Sequence, residues 1–266
     1  MWLVVARWEG LGWGAMALRL VQVNVKARDE VALGRFWAQA LGYRMSSEGP
    51  GVSNLEPEGV SWPDPDGFYV DLVRVADPEA VRYRVHLDLA TVSARHQAEL
   101  VARLRELGAT PVDVGQGEVP WVVLADPEGN VFCVREPREG CRDTGPIAAV
   151  VVGCADPRVM AGFWGEAVGW VVREVGDDRA VLRSGRDVGP FLEFVRQAPG
   201  AEPVWSRIHV DLLPEGGQEQ AAEVARLRAL GARSADVGQG EVPWVVLADP
   251  EGNEFCVLGR GSSAPL

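Results

Sequence analysis

Histidine and cysteine are scarce in this chain, with three and four residues among 266. Four cysteines are too few for a disulfide scaffold, so free thiols in a reducing, cytoplasmic setting are expected. No apolar run reaches the roughly 18 residues that a membrane helix needs. The opening stretch MWLVVARWEGLGWGA is apolar, but it lacks a basic start and is broken by Arg7 and Glu9. It makes a poor signal peptide. Residues 1–16 are expected to be a leader that is either a disordered tail or non-native, the latter with Met16 as the natural start. Positive charge is also short: 26 Lys and Arg stand against 38 Asp and Glu, a net charge of −12. Such a chain offers no footprint for nucleic acid and is repelled by anionic membranes. The glycine-rich segments carry no phosphate-loop Lys-Ser/Thr, and Ser184 and Ser206 lack the context of a nucleophile elbow.

What the chain does have is a repeat. The eighteen residues DVGQGEVPWVVLADPEGN at Asp113–Asn130 return unchanged at Asp236–Asn253, an offset of 123. Over Val101–Val134 against Val224–Val257, only five of 34 positions differ. One structural unit has been used twice. Two domains are expected, at residues 17–137 and 146–260, with a polar linker at 138–145 and a tail at 261–266. Each is long enough to bury its own core.

Within the first half, Leu18–Val25 alternates and reads as a strand, with Val21, Val23 and Val25 on one face and Gln22 and Asn24 on the other. Asp29 caps a helix whose apolar residues Leu33, Phe36, Trp37, Ala40 and Leu41 share one side, and Gly42 stops it. Two short strands are expected in Tyr43–Asp66 and another in Phe68–Val75, where Tyr69, Asp71 and Val73 oppose Val70 and Leu72. The order then recurs. Arg82–Leu89 sets His86 and Asp88 against Val85, Leu87 and Leu89. A helix follows over Ser93–Leu107, then a short strand at Pro111–Val114 and a hairpin of Trp121–Ala125 with Val131–Arg135. Asp126-Pro127-Glu128-Gly129 fits a type I turn, which makes DPEGN a folding signal. The second half follows the same plan, from the Ile147–Val152 strand and the Asp156-Pro157 helix start to the hairpin at Asp249–Gly252.

Two strand–helix–three-strand units per half, HLDL on the fifth strand and DPEGN before the eighth resemble the vicinal oxygen chelate superfamily. This is the glyoxalase, bleomycin-resistance and extradiol dioxygenase group, and the likeness spans about Leu18–Gly259. The resemblance implies an α+β fold of two tandem glyoxalase-like domains. Each would hold two βαβββ units in a cupped eight-stranded sheet, with helices on the convex side and ligand in the cup. Each half carries a full set of concave-face residues, so units are expected to pair within a half. Strand period then assigns Gln22, Asn24, Asp71, His86, Asp88, Trp121 and Cys133 to one cup. It assigns Ala149, Glu193, His209, Asp211, Trp244, Glu254 and Cys256 to the other.

Metal enzymes of the superfamily place ligands on strands one, four, five and eight. By position these are Gln22, Asp71, His86 and Cys133, then Ala149, Glu193, His209 and Cys256. A cysteine replaces the last carboxylate in both halves, and each half has one candidate histidine, where a non-haem iron site needs two. The expected function is therefore binding of a small organic molecule in a Trp-lined cup without metal, as a binding or resistance protein or a metal-independent enzyme. His86, Asp71, His209 and Glu193 are the candidate catalytic groups. Gln22, Asn24, Asp88, Trp121, Cys133, Asp211, Trp244 and Cys256 are candidate ligand contacts. The alternative is a metal-dependent lyase, isomerase or dioxygenase with the first half active through Gln22, Asp71 and His86, holding Zn, Ni, Mn or Fe. A monomer or homodimer is expected, with a small molecule as its partner.

Overall fold

The computed structural model describes residues 18–76, 78, 84–141, 143–197, 206–215, 219–238 and 240–259. The expected leader and tail lie outside the described residues, as do Arg82 and Tyr83 of the expected fifth strand. Four βαβββ units follow one another. The first holds β1 (Leu18–Ala27), α1 (Glu30–Leu41), β2 (Tyr43–Glu48), β3 (Val52–Pro57) and β4 (Tyr69–Arg74). The second holds β5 (Val85–Leu89), α2 (Ala94–Glu106), β6 (Thr110–Pro111), β7 (Val122–Ala125) and β8 (Val131–Val134). The third holds β9 (Ile147–Cys154), α3 (Pro157–Val168), β10 (Val171–Val175), β11 (Arg179–Arg183) and β12 (Phe191–Arg196). The fourth holds β13 (Ile208–Pro214), α4 (Gln220–Ala229), β14 (Arg233–Ser234), β15 (Val245–Ala248) and β16 (Glu254–Val257).

Helix boundaries follow the capping residues. Asp29 and Asp156 accept from the first-turn amides of α1 and α3, and Gly42 and Gly169 end those helices in the left-handed region. Ser93 caps α2 by accepting from the His96 amide. The short strand β6 ends at Pro111 rather than running on to Val114, so only two residues pair with β7.

The units pair across the halves, which corrects the expected pairing. One eight-stranded sheet runs β14-β15-β16-β13-β1-β4-β3-β2, and the other runs β10-β11-β12-β9-β5-β8-β7-β6. Unit 1 thus shares a sheet with unit 4, through antiparallel β1 and β13, and unit 2 with unit 3, through antiparallel β5 and β9. Within each half, the DPEGN turn joins the two units by contacts other than strand pairing. The Glu128 carboxylate accepts from the amides of Arg28 and Asp29, just ahead of α1, at 2.9–3.0 Å. Asp126 Oδ2 accepts from Trp37 Nε1 of α1 at 3.1 Å, and Trp37 meets Phe132 of β8 edge-on at 5.1 Å. These contacts fix unit 2 against α1 of unit 1, while β5 pairs with β9 and β1 with β13. The second copy repeats the joint: Glu251 binds the Ala155 and Asp156 amides, and Asp249 accepts from Trp164.

The last five of the repeated residues, Asp126–Asn130, are thus a turn and a clamp, as the folding reading of DPEGN expects. Replacing Asp126 by Ala leaves Trp37 Nε1 and the Asn130 amide buried without an acceptor. A loss of about 3 kcal/mol in unfolding free energy is expected, measurable by urea denaturation.

Helix-facing side chains of both sheets form one continuous core that includes Val23, Val25, Leu72, Leu87, Val150, Phe194 and Leu212. The opposite faces carry two small separate clusters, one with Cys256, Val246 and Trp244 and the other with Cys133, Val123 and Trp121. These mark the floors of two cups. Val21 corrects its expected face. A bulge between Leu20 and Gln22 inserts one residue opposite β13, so Val21 joins the cup cluster while Val23 and Val25 stay in the core.

Candidate functional site

The expected cup residues do face the cups, but they are grouped differently. Asn24 lies opposite His209, and Gln22 opposite Asp211, across β1 and β13. Asp71 pairs with Asn24 from β4, and Cys256 with Asp211 from β16. The first cup therefore joins Gln22, Asn24 and Asp71 to His209, Asp211, Trp244, Glu254 and Cys256. In the second sheet His86 lies opposite Val151 and Asp88 opposite Ala149, with Cys133 beside Asp88 and Glu193 beside Val151. The second cup holds His86, Asp88, Trp121, Cys133, Ala149 and Glu193. The expected metal set of Gln22, Asp71 and His86 is not brought together, because His86 sits in the other cup and His209 takes its place.

The floor of the first cup is a network of neutral amides around two acids. Gln22 Nε2 donates to Asp71 Oδ2 at 3.0 Å and to Asp211 Oδ2 at 2.8 Å. Asn24 Nδ2 donates to Asp211 Oδ2 at 2.5 Å, and Asn54 Nδ2 to Asp71 Oδ1 at 2.8 Å. Asp71 and Asp211 are each 1% exposed. Burial pushes both carboxyls up to about 7, against the pull of the amide donors, and the neighbouring Asp71 charge adds to the rise at Asp211. Burial, helped by Lys26, pulls His209 down to about 4 and keeps it neutral. Its Nε2 lies 3.5 Å from Asp211 Oδ1. Burial and the Asp211 charge raise the Cys256 thiol well above its ordinary value, so it is no nucleophile. Three buried acceptors, Gln22 Oε1, Asn24 Oδ1 and Asp211 Oδ1, have no hydrogen-bond partner among the described residues.

The second cup is charged where the first is neutral. Arg135 Nε donates to Asp88 Oδ2 at 2.6 Å, and its two terminal nitrogens meet the two Glu193 oxygens at 2.9 Å each. Arg179 adds a second contact to Glu193 at 2.9 Å. Burial would raise Asp88, but His86 and Arg135 outweigh it and hold this carboxyl below its usual range. His86 Nε2 stands 3.4 Å from Asp88 Oδ1.

Sequence reasoning missed Arg135, Arg179, Asn54 and Trp62. Arg135 was within reach: it shares the strand face of Cys133, and its counterpart at the repeat offset is Leu258. Asn54 and Trp62 lie in the Gly/Pro-rich stretch where strand phase could not be read.

Metal-ligating groups cluster in each cup, as His209, Asp211 and Cys256 and as His86, Asp88 and Cys133. The first cup fits a divalent ion. Gln22 Oε1 and Asp211 Oδ1 are buried acceptors without donors, and they combine with the neutral imidazole of His209 as an oxygen and nitrogen donor set. In the second cup Asp88 Oδ1 is likewise unpartnered beside His86 and Cys133, but a guanidinium sits between Asp88 and Glu193 and already neutralises both acids, which disfavours a further cation.

The profile of the family described as "Glyoxalase-like domain" matches residues 22–135 and again 149–258. The chain belongs to the glyoxalase-like domain family. Among solved structures, glyoxalase I from Zea mays superposes with a TM-score of 0.64 at 17% identity, covering 92% of this chain and 93% of that one. A putative dioxygenase from Bacillus subtilis subsp. subtilis str. 168 gives 0.60 at 12% identity, covering 92% and 86%. At these identities the likeness is one of fold. A comparison with curated proteins found no match. No helix among the described residues is long and apolar enough to cross a membrane.

Proposed function

We propose that the first cup binds a small organic molecule that donates hydrogen bonds to its floor. The observation that carries this reading is the set of three buried, unpartnered acceptors at Gln22, Asn24 and Asp211. A buried acceptor left without a donor costs roughly 1–3 kcal/mol, and a ligand hydroxyl or ammonium removes that cost. Trp62 and Trp244 pack beside the floor and supply apolar wall, the usual make-up of a small-molecule site. Asp211, with its proton held to near neutral pH, can also give or take a proton at the ligand, which admits a metal-independent enzyme as well as a binding or resistance protein. With a net charge of −12, a small molecule suits the chain better than nucleic acid or a membrane.

A second reading is favoured by the His209–Asp211–Cys256 cluster. His209, Asp211 and Cys256 would hold a divalent ion, with Gln22 and Asp71 hydrogen-bonded beside them. Bound there, the ion would supply Lewis-acid polarisation of ligand oxygens, the chemistry of a lyase, isomerase or dioxygenase. The cup that would work is one built from both halves, not the first half alone.

Tryptophan fluorescence separates the two. A panel of aromatic alcohols and amines is titrated with EDTA present. At least one compound is expected to quench saturably, with affinity about tenfold or more weaker in D211A and unchanged in H86A. Quenching that requires Zn, Ni, Mn or Fe(II), and is lost in H209A, would transfer the function to the metal reading.

A further inference from the structure

The two cups occupy equivalent places in equivalent sheets, yet they neutralise their acids by opposite means. In the first, Asp71 and Asp211 receive only neutral amide donors from Gln22, Asn24 and Asn54. In the second, the positions of Gln22 and Asn24 are taken by Ala149 and Val151, which donate nothing. The volume and the donors lost there are returned from another strand. Arg135, at the position of Leu258, extends between Asp88 and Glu193, the counterparts of Asp211 and Asp71. The exchange is concerted: amides with leucine in one cup, small apolar residues with arginine in the other.

We propose that Arg135 is the resident cation of the second cup. Its guanidinium binds Asp88 Oδ2 and both Glu193 oxygens and so supplies the positive charge that these acids would otherwise offer to an ion, and this cup takes no metal and serves as a structural staple. The geometry supports the staple directly. Arg135 and Asp88 belong to unit 2, Glu193 and Arg179 to unit 3, so the network crosses the β5–β9 seam that joins the halves. The Arg135 side chain is 9% exposed and that of Glu193 only 4%, and the contact between them is a two-pronged fork. The functional consequence is a division of labour that the near-identical repeat conceals: the acids of one cup are held by neutral amides, and those of the other by its own arginine. This does not rest on what the first cup binds.

The test is metal content and thermal stability of the full chain in wild type, R135L and R135L/D88N/E193Q. Removing one member of a buried, hydrogen-bonded ion pair leaves uncompensated charge, so R135L is expected to lose about 10 °C in Tm. Taking away the two acids as well should recover most of that loss. Zn(II) should raise the Tm of R135L and load about one equivalent more than wild type, and the extra equivalent should vanish in R135L/H86A. In wild type, H86A should leave metal content unchanged. An R135L protein as stable as wild type would overturn the proposal. So would a drop recovered neither by zinc nor by the acid substitutions, or wild-type metal lost on H86A. If R135L does not fold, the triple variant decides: its folding supports the resident-cation role, and its failure contradicts it.

Discussion

Expressed alone, residues 18–137 are expected not to form a stable monomer. The first half contains two complete βαβββ units and the clamp that joins them, so by sequence it is a domain. In the structure it supplies half of each sheet. Cutting at the linker strips β13 from β1 and β9 from β5, both near the middle of an eight-stranded sheet. Each becomes an open edge with a full row of unpaired backbone groups and apolar neighbours, a template for self-association. Aggregation, or a dimer in which a second copy supplies the missing edges, is the expected result by light scattering. Mixing with residues 146–260 should restore a 1:1 complex with native circular dichroism. A well-folded monomer of the first half would show that the units can close within it.

The second large effect concerns pH. Asp71 and Asp211 ionise near pH 4 in the unfolded chain but near 7 when folded. Between those values the folded protein holds more protons than the unfolded one, so stability is fully present below pH 4 and is lost as pH rises to about 7. Each carboxyl contributes up to roughly 4 kcal/mol to this loss. His209, pulled down to about 4, has the opposite sign: its cost is greatest below pH 4 and fades as pH rises to 6.5. The clean readout is therefore the difference between wild type and D71N/D211N, in which His209 is common to both. Asparagine mimics the protonated acid and keeps an oxygen for the Gln22 and Asn24 donors. The double variant is expected to match wild type near pH 4 and to exceed it by several kcal/mol at pH 8, in urea denaturation across that range. A constant difference would mean that the two acids ionise normally in the folded protein.

Much of this was legible in the sequence, for a physical reason. A strand has a period of two, so the alternation in VQVNV, FYVDLVRV and RYRVHLDL puts Gln22, Asn24, Asp71, His86 and Asp88 on the non-core face before any partner is known. Helix ends were equally readable, because Asp29, Asp156 and the two glycines act on their own neighbours. Pairing was not. β1, β5, β9 and β13 all carry similar alternating apolar faces, and nothing local says which will lie side by side. The contacts that accompany the observed pairing, such as the clamp of Glu128 on the amides before α1, are long-range, and their sequence signature looks like a simple turn. Grouping the site by halves followed from that error, and it placed His86 with Gln22 and Asp71. The bulge at Val21 was hidden for a related reason, since an extra residue in one strand is defined only against its partner.

The central claim is that each cup is built from both halves of the chain. The most direct test is disulfide mapping of two double variants, N24C/H209C and N24C/H86C, by peptide mass spectrometry after mild oxidation. Residues directly opposite in antiparallel strands have Cα atoms about 4.5–5.5 Å apart, within disulfide reach. Asn24 and His209 are such a pair. The expected result is a 24–209 crosslink and no 24–86 crosslink. A 24–86 crosslink in place of 24–209 would contradict the account and return each cup to a single half.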